Sequence, residues 1–181
     1  MKVDFKGASS CGLAVGLFGV VMSLITMYPL RTIVTESAML SMLITLLNFA
    51  AFVLVLWYYK KHYAVGGAFT YGAGIKAGLA IGLFDGLITG AFMYCVFAFD
   101  QEYVNYIIEE TKKQVAMMGL TPEMAQQVMS QMSLATNAAY QGVVAIFGTF
   151  LSALFYSLIA MIFLKEKEDY NSVMADVEDN D

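Results

Sequence analysis

Asp85 is an acidic residue inside a long apolar segment, residues 74–99, of this 181-residue chain. If that segment crosses a bilayer, Asp85 lies near mid-depth, where a charged side chain costs about 2.5–3.5 kcal/mol on insertion scales. Protonation or a polar partner must offset this cost. Asn48, midway along the preceding apolar segment, is the best partner by depth, and Thr89 lies on the same side of the helix as Asp85. These three residues form a candidate intramembrane polar site.

Two interpretations of this polar site remain open. In the first, Asp85 handles protons or cations for a small transporter or an ion-coupled membrane subunit. In the second, Asp85 is a neutral carboxylic acid that hydrogen-bonds to Asn48 and fixes the register of the two helices. A single acid without a relay of other titratable groups favours the second interpretation.

Glycine recurs at every fourth position of the segment that contains Asp85: Gly74, Gly78, Gly82, Gly86 and Gly90. The first apolar segment carries a similar patch: Gly12, Gly16 and Gly19. Small residues let membrane helices approach closely, so we expect another helix to pack against each patch. The glycine seam on the third apolar segment either packs within one bundle or forms the interface of a homo-oligomer.

The sequence contains no recognisable nucleophile–base arrangement, phosphate-binding loop or metalloprotease motif, so we do not expect an enzyme or a catalytic residue. His62 has no Cys, His or Asp cluster around it, and no metal or other cofactor is expected. The chain lacks a basic patch, which argues against nucleic acid as a partner.

The composition indicates an integral membrane protein, because 59% of the residues are hydrophobic and only 14% are charged. Soluble domains are about 45–50% apolar and about 25% charged. Four segments reach the roughly 20 apolar residues that a bilayer span requires: residues 9–30, 37–59, 74–99 and 138–164. Such segments must be helical to satisfy their backbone groups in lipid, so the fold class is all-α.

Lysine and arginine predict the orientation of these spans. Seven of these basic residues fall on the side of the membrane that holds both termini, and three fall on the other side. Because cytoplasmic segments carry the excess of basic residues, both termini are expected in the cytoplasm. On the outer side, residues 100–137 have helical spacing interrupted by Gly119 and restarted at Thr121-Pro122, which predicts an external amphipathic helical hairpin. Residues 1–165 would form the membrane domain, and residues 166–181 an acidic, disordered cytoplasmic tail.

Three sequence motifs carry a family resemblance across residues 5–165: residues 66–72 leading to Lys76-Ala77-Gly78, then Asp100-Gln101-Glu102-Tyr103, then residues 118–123. With these motifs the chain resembles the uncharacterised four-span bacterial membrane proteins grouped as a domain of unknown function. Gln101 departs from the pattern, since such proteins often have proline there. The resemblance implies the same four-span fold and a bacterial inner-membrane location, and it implies no activity.

From the sequence, the first functional hypothesis is a non-enzymatic scaffold or assembly subunit that packs through the glycine seam. Its partners would be the lipid bilayer and either further copies of the chain or other membrane subunits. The alternative is a small transporter or ion-coupled subunit that uses Asp85 together with Asn48.

Overall fold

A computed structural model describes residues 3–29, 38–64, 68–119 and 121–166 of the chain. Within these residues the backbone forms six α-helices and no strand, which confirms the all-α fold. In chain order the helices are α1 (Phe5–Met27), α2 (Ala38–Tyr63), α3 (Tyr71–Phe99), α4 (Gln101–Met117), α5 (Pro122–Ala135) and α6 (Ala138–Leu164).

Capping side chains determine where two of the long helices begin. The side chain of Asp4 accepts a hydrogen bond from a backbone N–H of the first turn (3.0 Å), so α1 begins at Phe5, before the predicted residue 9. Thr70 caps α3 in the same way (3.4 Å), and that helix begins at Tyr71, three residues before the prediction. At its other end α1 stops at Met27, two residues before Pro29, and the backbone N–H of Tyr28 still donates to the Leu24 carbonyl oxygen (3.2 Å).

Four of the helices, α1, α2, α3 and α6, contain 23, 26, 29 and 27 residues and are apolar enough to cross a membrane. This confirms the four predicted spans. Large apolar side chains on their outer faces are about half exposed or more, among them Leu17, Leu43, Leu87 and Phe147. Lipid tails solvate such surfaces, whereas water does not.

The central helix of the bundle is α3, which packs along α6 and, on another side, against α1. The remaining long helix, α2, contacts α1 and α6 and makes few contacts with α3. One buried apolar cluster joins all four long helices, and each helix contributes an almost fully enclosed side chain to it: Ala8, Phe52, Ile81 and Met161.

The two halves of α2 differ in how they meet the bundle. The buried residues all lie in its second half: Phe52, Leu56 and Tyr59. Large side chains of its first half are exposed: Met39, Met42, Leu43 and Leu46. The bundle is therefore closely packed where α2 ends and open where α2 begins.

Polar contacts tie the chain together at the closely packed end. The backbone N–H of Asp4 donates to the Tyr59 hydroxyl (2.8 Å), which links the start of α1 to the end of α2. Lys60 Nζ lies 2.9 Å from Glu166 Oε1, and the backbone N–H of Phe69 donates to Glu166 Oε2 (3.1 Å). The end of α6 is thus bound to both α2 and the start of α3.

At the opposite end, α4 and α5 form the helical hairpin predicted from the sequence. Gly119 has φ +60°, a left-handed conformation that suits glycine after a helix, and Thr121 caps the start of α5. Val104 of α4 is buried against Met27 and Phe97, so the hairpin rests on the ends of α1 and α3. Of the predicted tail, residues 166–181, only Glu166 belongs to the described residues, and the remainder lies outside them.

Candidate intramembrane binding site

A cavity of about 410 Å³ lies among the four long helices, in the half of the bundle where α2 begins. Polar side chains from every long helix line it: Ser23 of α1, Asn48 of α2, Asp85 and Thr89 of α3, and Thr149, Ser152 and Tyr156 of α6. The structure therefore brings the three residues of the predicted polar site to one cavity.

Asp85 is 8% exposed and lies on the wall of this cavity. The hydroxyl of Thr89 donates a hydrogen bond to Asp85 Oδ1 at 3.2 Å, one helical turn away. Asn48 lies on the same cavity wall but makes no hydrogen bond to Asp85 among the described residues, which differs from the partnership expected from depth alone. The reason is the packing of α2, which meets α3 at few points.

Two aromatic side chains, Phe52 and Tyr156, also line the cavity and were not identified from the sequence. Their ring centroids are 5.7 Å apart in an edge-to-face arrangement, and Phe49 adds a second ring 5.3 Å from that of Tyr156. These rings join α2 to α6. A signal was present in the sequence, because Tyr156 lies inside a span rather than at the membrane interface where tyrosine is usually enriched.

The five glycines of the seam on α3 all face α6 of the same chain. A methyl group at any of them would lie within 3.0 Å of an α6 atom. The atoms met belong to Met161, Ser157, Ala153 and Ile146, in order from Gly74 to Gly90. The seam is therefore occupied by intramolecular packing along most of its length.

The glycines of α1 have two different environments. Gly12 and Gly16 lie against α3, where an added methyl group would meet Ile81 and Phe84, or Ile88. Gly19 has no atom within 4 Å of such a methyl group and lies on the cavity wall instead. Gly12 and Gly16 thus hold two helices together, whereas Gly19 leaves space open.

In the part of the chain that the structure describes, no three His, Cys, Asp or Glu side chains come together as metal ligands. Any charge bound in the cavity would therefore meet Asp85 as its single acidic partner among the cavity-lining residues.

Four apolar helices of this length, around a cavity to which each contributes a polar side chain, indicate a multi-pass helical membrane protein. Residues 10–166 match the family model described as "Protein of unknown function (DUF4199)", and the chain belongs to this family. The resemblance to a domain-of-unknown-function family of membrane proteins is thereby confirmed. No curated protein and no solved structure matches the chain.

Proposed function

We propose that this protein is a small transporter or ion-coupled membrane subunit that binds a proton or a monovalent cation at Asp85. The observation that carries the proposal is the position of this acid on the wall of a cavity of about 410 Å³ between membrane helices. A carboxylate that only fixes helix register would be expected to hydrogen-bond across a helix interface, whereas Asp85 bonds within its own helix.

The hydrogen bonding of Asp85 leaves one carboxylate oxygen available to a bound proton or cation. Thr89 supplies one hydrogen bond, to Oδ1, and Asp85 Oδ2 accepts none from the described residues. A buried carboxylate without a counter-charge is costly in a medium of low dielectric constant. A proton bound to Asp85, or a cation beside it, removes that cost. If the two compete for the same carboxylate, binding of one releases the other, and their movements are coupled.

The distribution of lysine and arginine supports an orientation with both termini in the cytoplasm and the α4–α5 hairpin on the outer side of the membrane. In that orientation the cavity lies in the outer half of the bundle, and the closely packed end with Lys60 and Glu166 faces the cytoplasm. A bacterial inner membrane is the location that the family resemblance favours.

The hypothesis of a scaffold or assembly subunit needs a surface other than the glycine seam, since α6 already covers it. Further copies of the chain or other membrane subunits would then meet the lipid-facing helices or the hairpin. The hairpin exposes Met117 and Met118 at its turn, and such a surface suits a partner or the lipid interface.

Ion flux into proteoliposomes tests the proposal. The wild-type protein, Asp85→Asn and Glu123→Gln would be reconstituted with an internal pH dye and an internal sodium dye. Asp85→Asn keeps the size of the side chain and removes its charge, so we expect flux to fall to the level of empty liposomes. Glu123→Gln removes an exposed acid on the hairpin and should leave flux unchanged.

Folding of each variant would be checked by its elution as a monodisperse species in detergent. Flux through well-folded Asp85→Asn at the wild-type rate would overturn the proposal, as would wild-type flux no greater than that of empty liposomes. An Asp85→Leu variant that loses folding while Asp85→Asn keeps both folding and flux would identify the residue as structural.

A further inference from the structure

The opening of the cavity lies partway along α6 rather than at either of its ends. Among the lining residues of that helix, Gly148 and Ser152 are exposed. They follow the first residue of the 27-residue helix by 10 and 14 positions, which is about 15 and 21 Å along its axis. Both distances fall in the middle part of a helix about 40 Å long.

The gap that forms this opening lies between α2 and α6. On its closed side, Tyr156 packs against Phe49 and Phe52 of α2. Toward the start of α2, no described residue of this helix before Phe52 is buried, and Gly148 of α6 has no atom within 4 Å of an added methyl group, so the two helices are not closely packed there. The opening therefore faces sideways, out of the bundle.

At this depth the medium outside the bundle is hydrocarbon. The bilayer core is about 30 Å thick, and residues in the middle of a span lie well inside it. Leu151 and Phe155, beside the opening on α6, are 53% and 56% exposed, as expected for side chains in contact with lipid tails. A ligand that uses this opening must be soluble in the bilayer.

The cavity wall combines one acid with aromatic rings. Asp85 attracts a positive charge, and Phe52 and Tyr156 present rings to the same space. Aromatic rings attract organic cations and also pack against their hydrocarbon parts. A small hydrated metal ion would use the acid but would gain little from the rings.

We propose that the ligand of this site is an amphiphilic organic monocation that enters sideways from the bilayer. Its ammonium group would lie at Asp85, and its hydrocarbon chain would pass between α2 and α6 into the lipid. This inference rests on the proposed function and specifies its substrate class. An inorganic cation that reaches Asp85 from water is the competing outcome.

Equilibrium binding to the full chain in lipid nanodiscs tests the inference. The cations are sodium, methylammonium, butylammonium and hexylammonium. Hexanol is the neutral analogue, and empty nanodiscs correct for partitioning into lipid. The dissociation constant is expressed in terms of the ligand concentration in water. We expect the part of binding that depends on Asp85 to strengthen roughly fourfold for each methylene that the site removes from water. Asp85→Asn should abolish the difference between hexylammonium and hexanol.

Blocking the opening provides a second, independent measurement. Gly148 has no atom within 4 Å of an added methyl group, so Gly148→Phe places a ring in the opening without a clash at Cβ. It should weaken hexylammonium binding by roughly 16-fold, the equivalent of two buried methylenes at fourfold each, and weaken methylammonium binding by less. Gly72, exposed at the start of α3 and equally open, supplies the matched control Gly72→Phe, which should change neither affinity.

The outcomes separate this inference from the proposed function. If Asp85-dependent binding is equal for sodium, methylammonium and hexylammonium, or if Gly148→Phe leaves hexylammonium binding intact, the lateral entry is wrong and the cation site stands. If neither sodium nor any ammonium ion binds in a manner that depends on Asp85, this inference is overturned. The proposed function is overturned with it only if the proteoliposomes also show no proton flux that depends on Asp85.

Discussion

Replacing two glycines of α1 by alanine separates close helix packing from intrinsic helix propensity. Gly12 and Gly19 lie seven residues apart on the same helix, so both variants gain the same preference of alanine over glycine, about 0.5–1 kcal/mol. At Gly12 the added methyl group would lie 2.6 Å from both the Ile81 carbonyl oxygen and Phe84 Cβ. At Gly19 it would meet no atom within 4 Å.

The size of the effect follows from these distances. Ordinary van der Waals contact begins near 3.4 Å, so α1 and α3 must separate by about 0.8 Å around Gly12. One of the two obstructing atoms belongs to the backbone of α3 and cannot rotate away. Overpacking of this kind costs about 1–3 kcal/mol, and the propensity gain cancels when the two variants are compared. We therefore expect Gly12→Ala to be less stable than Gly19→Ala by about 1–3 kcal/mol.

Reversible unfolding in mixed detergent micelles would measure this difference, with the fluorescence of the single tryptophan, Trp57, as the signal. Gly19→Ala should be equal to the wild-type protein or slightly more stable. Equal stability of Gly12→Ala and Gly19→Ala would refute the close approach of α1 to α3, because the packing cost would then be absent.

Two further predictions concern groups at the ends of the helices. Hydrogen bonds from the Phe69 N–H and from Lys60 lower the pKa of Glu166, so its contribution to stability is present above the ordinary carboxylate pKa, about 4.3, and is lost as pH falls. Glu166→Gln should lower the melting temperature at pH 7 and flatten its decline in acid. The hydrogen bond that Tyr28 donates to Asp100 raises the pKa of this tyrosine, so its contribution is lost as pH rises through that pKa. Tyr28→Phe should remove this alkaline loss from thermal melts, and identical profiles for wild type and variant would contradict the assignment in either case.

The features that the sequence predicts correctly are local. Span length and apolar content depend on single segments, and four helices of the required length are present. The hairpin follows from Gly119, which takes a left-handed conformation, and from the cap that Thr121 provides. The shared helix face of Asp85 and Thr89 follows from helical periodicity, and the two side chains are hydrogen-bonded.

The features that the sequence leaves open depend on the order of the helices around the bundle. Depth along the membrane suggested Asn48 as the partner of Asp85, but α2 makes few contacts with α3, and the two side chains line a common cavity without a mutual hydrogen bond in the described structure. The sequence is equally compatible with a second subunit against the glycines of α3, but in the structure α6 lies against them. Periodicity identifies a packing face, but not the helix that covers it.

Infrared difference spectroscopy of the protein in nanodiscs tests most directly whether Asp85 is the site of cation binding. Addition of hexylammonium at constant pH should convert a protonated carboxyl signal to a carboxylate signal, or shift the carboxylate signal, and the change should be absent from Asp85→Asn. A spectrum of the wild-type protein that does not change at saturating ligand, or a change that persists in Asp85→Asn, would contradict a cation site at this residue.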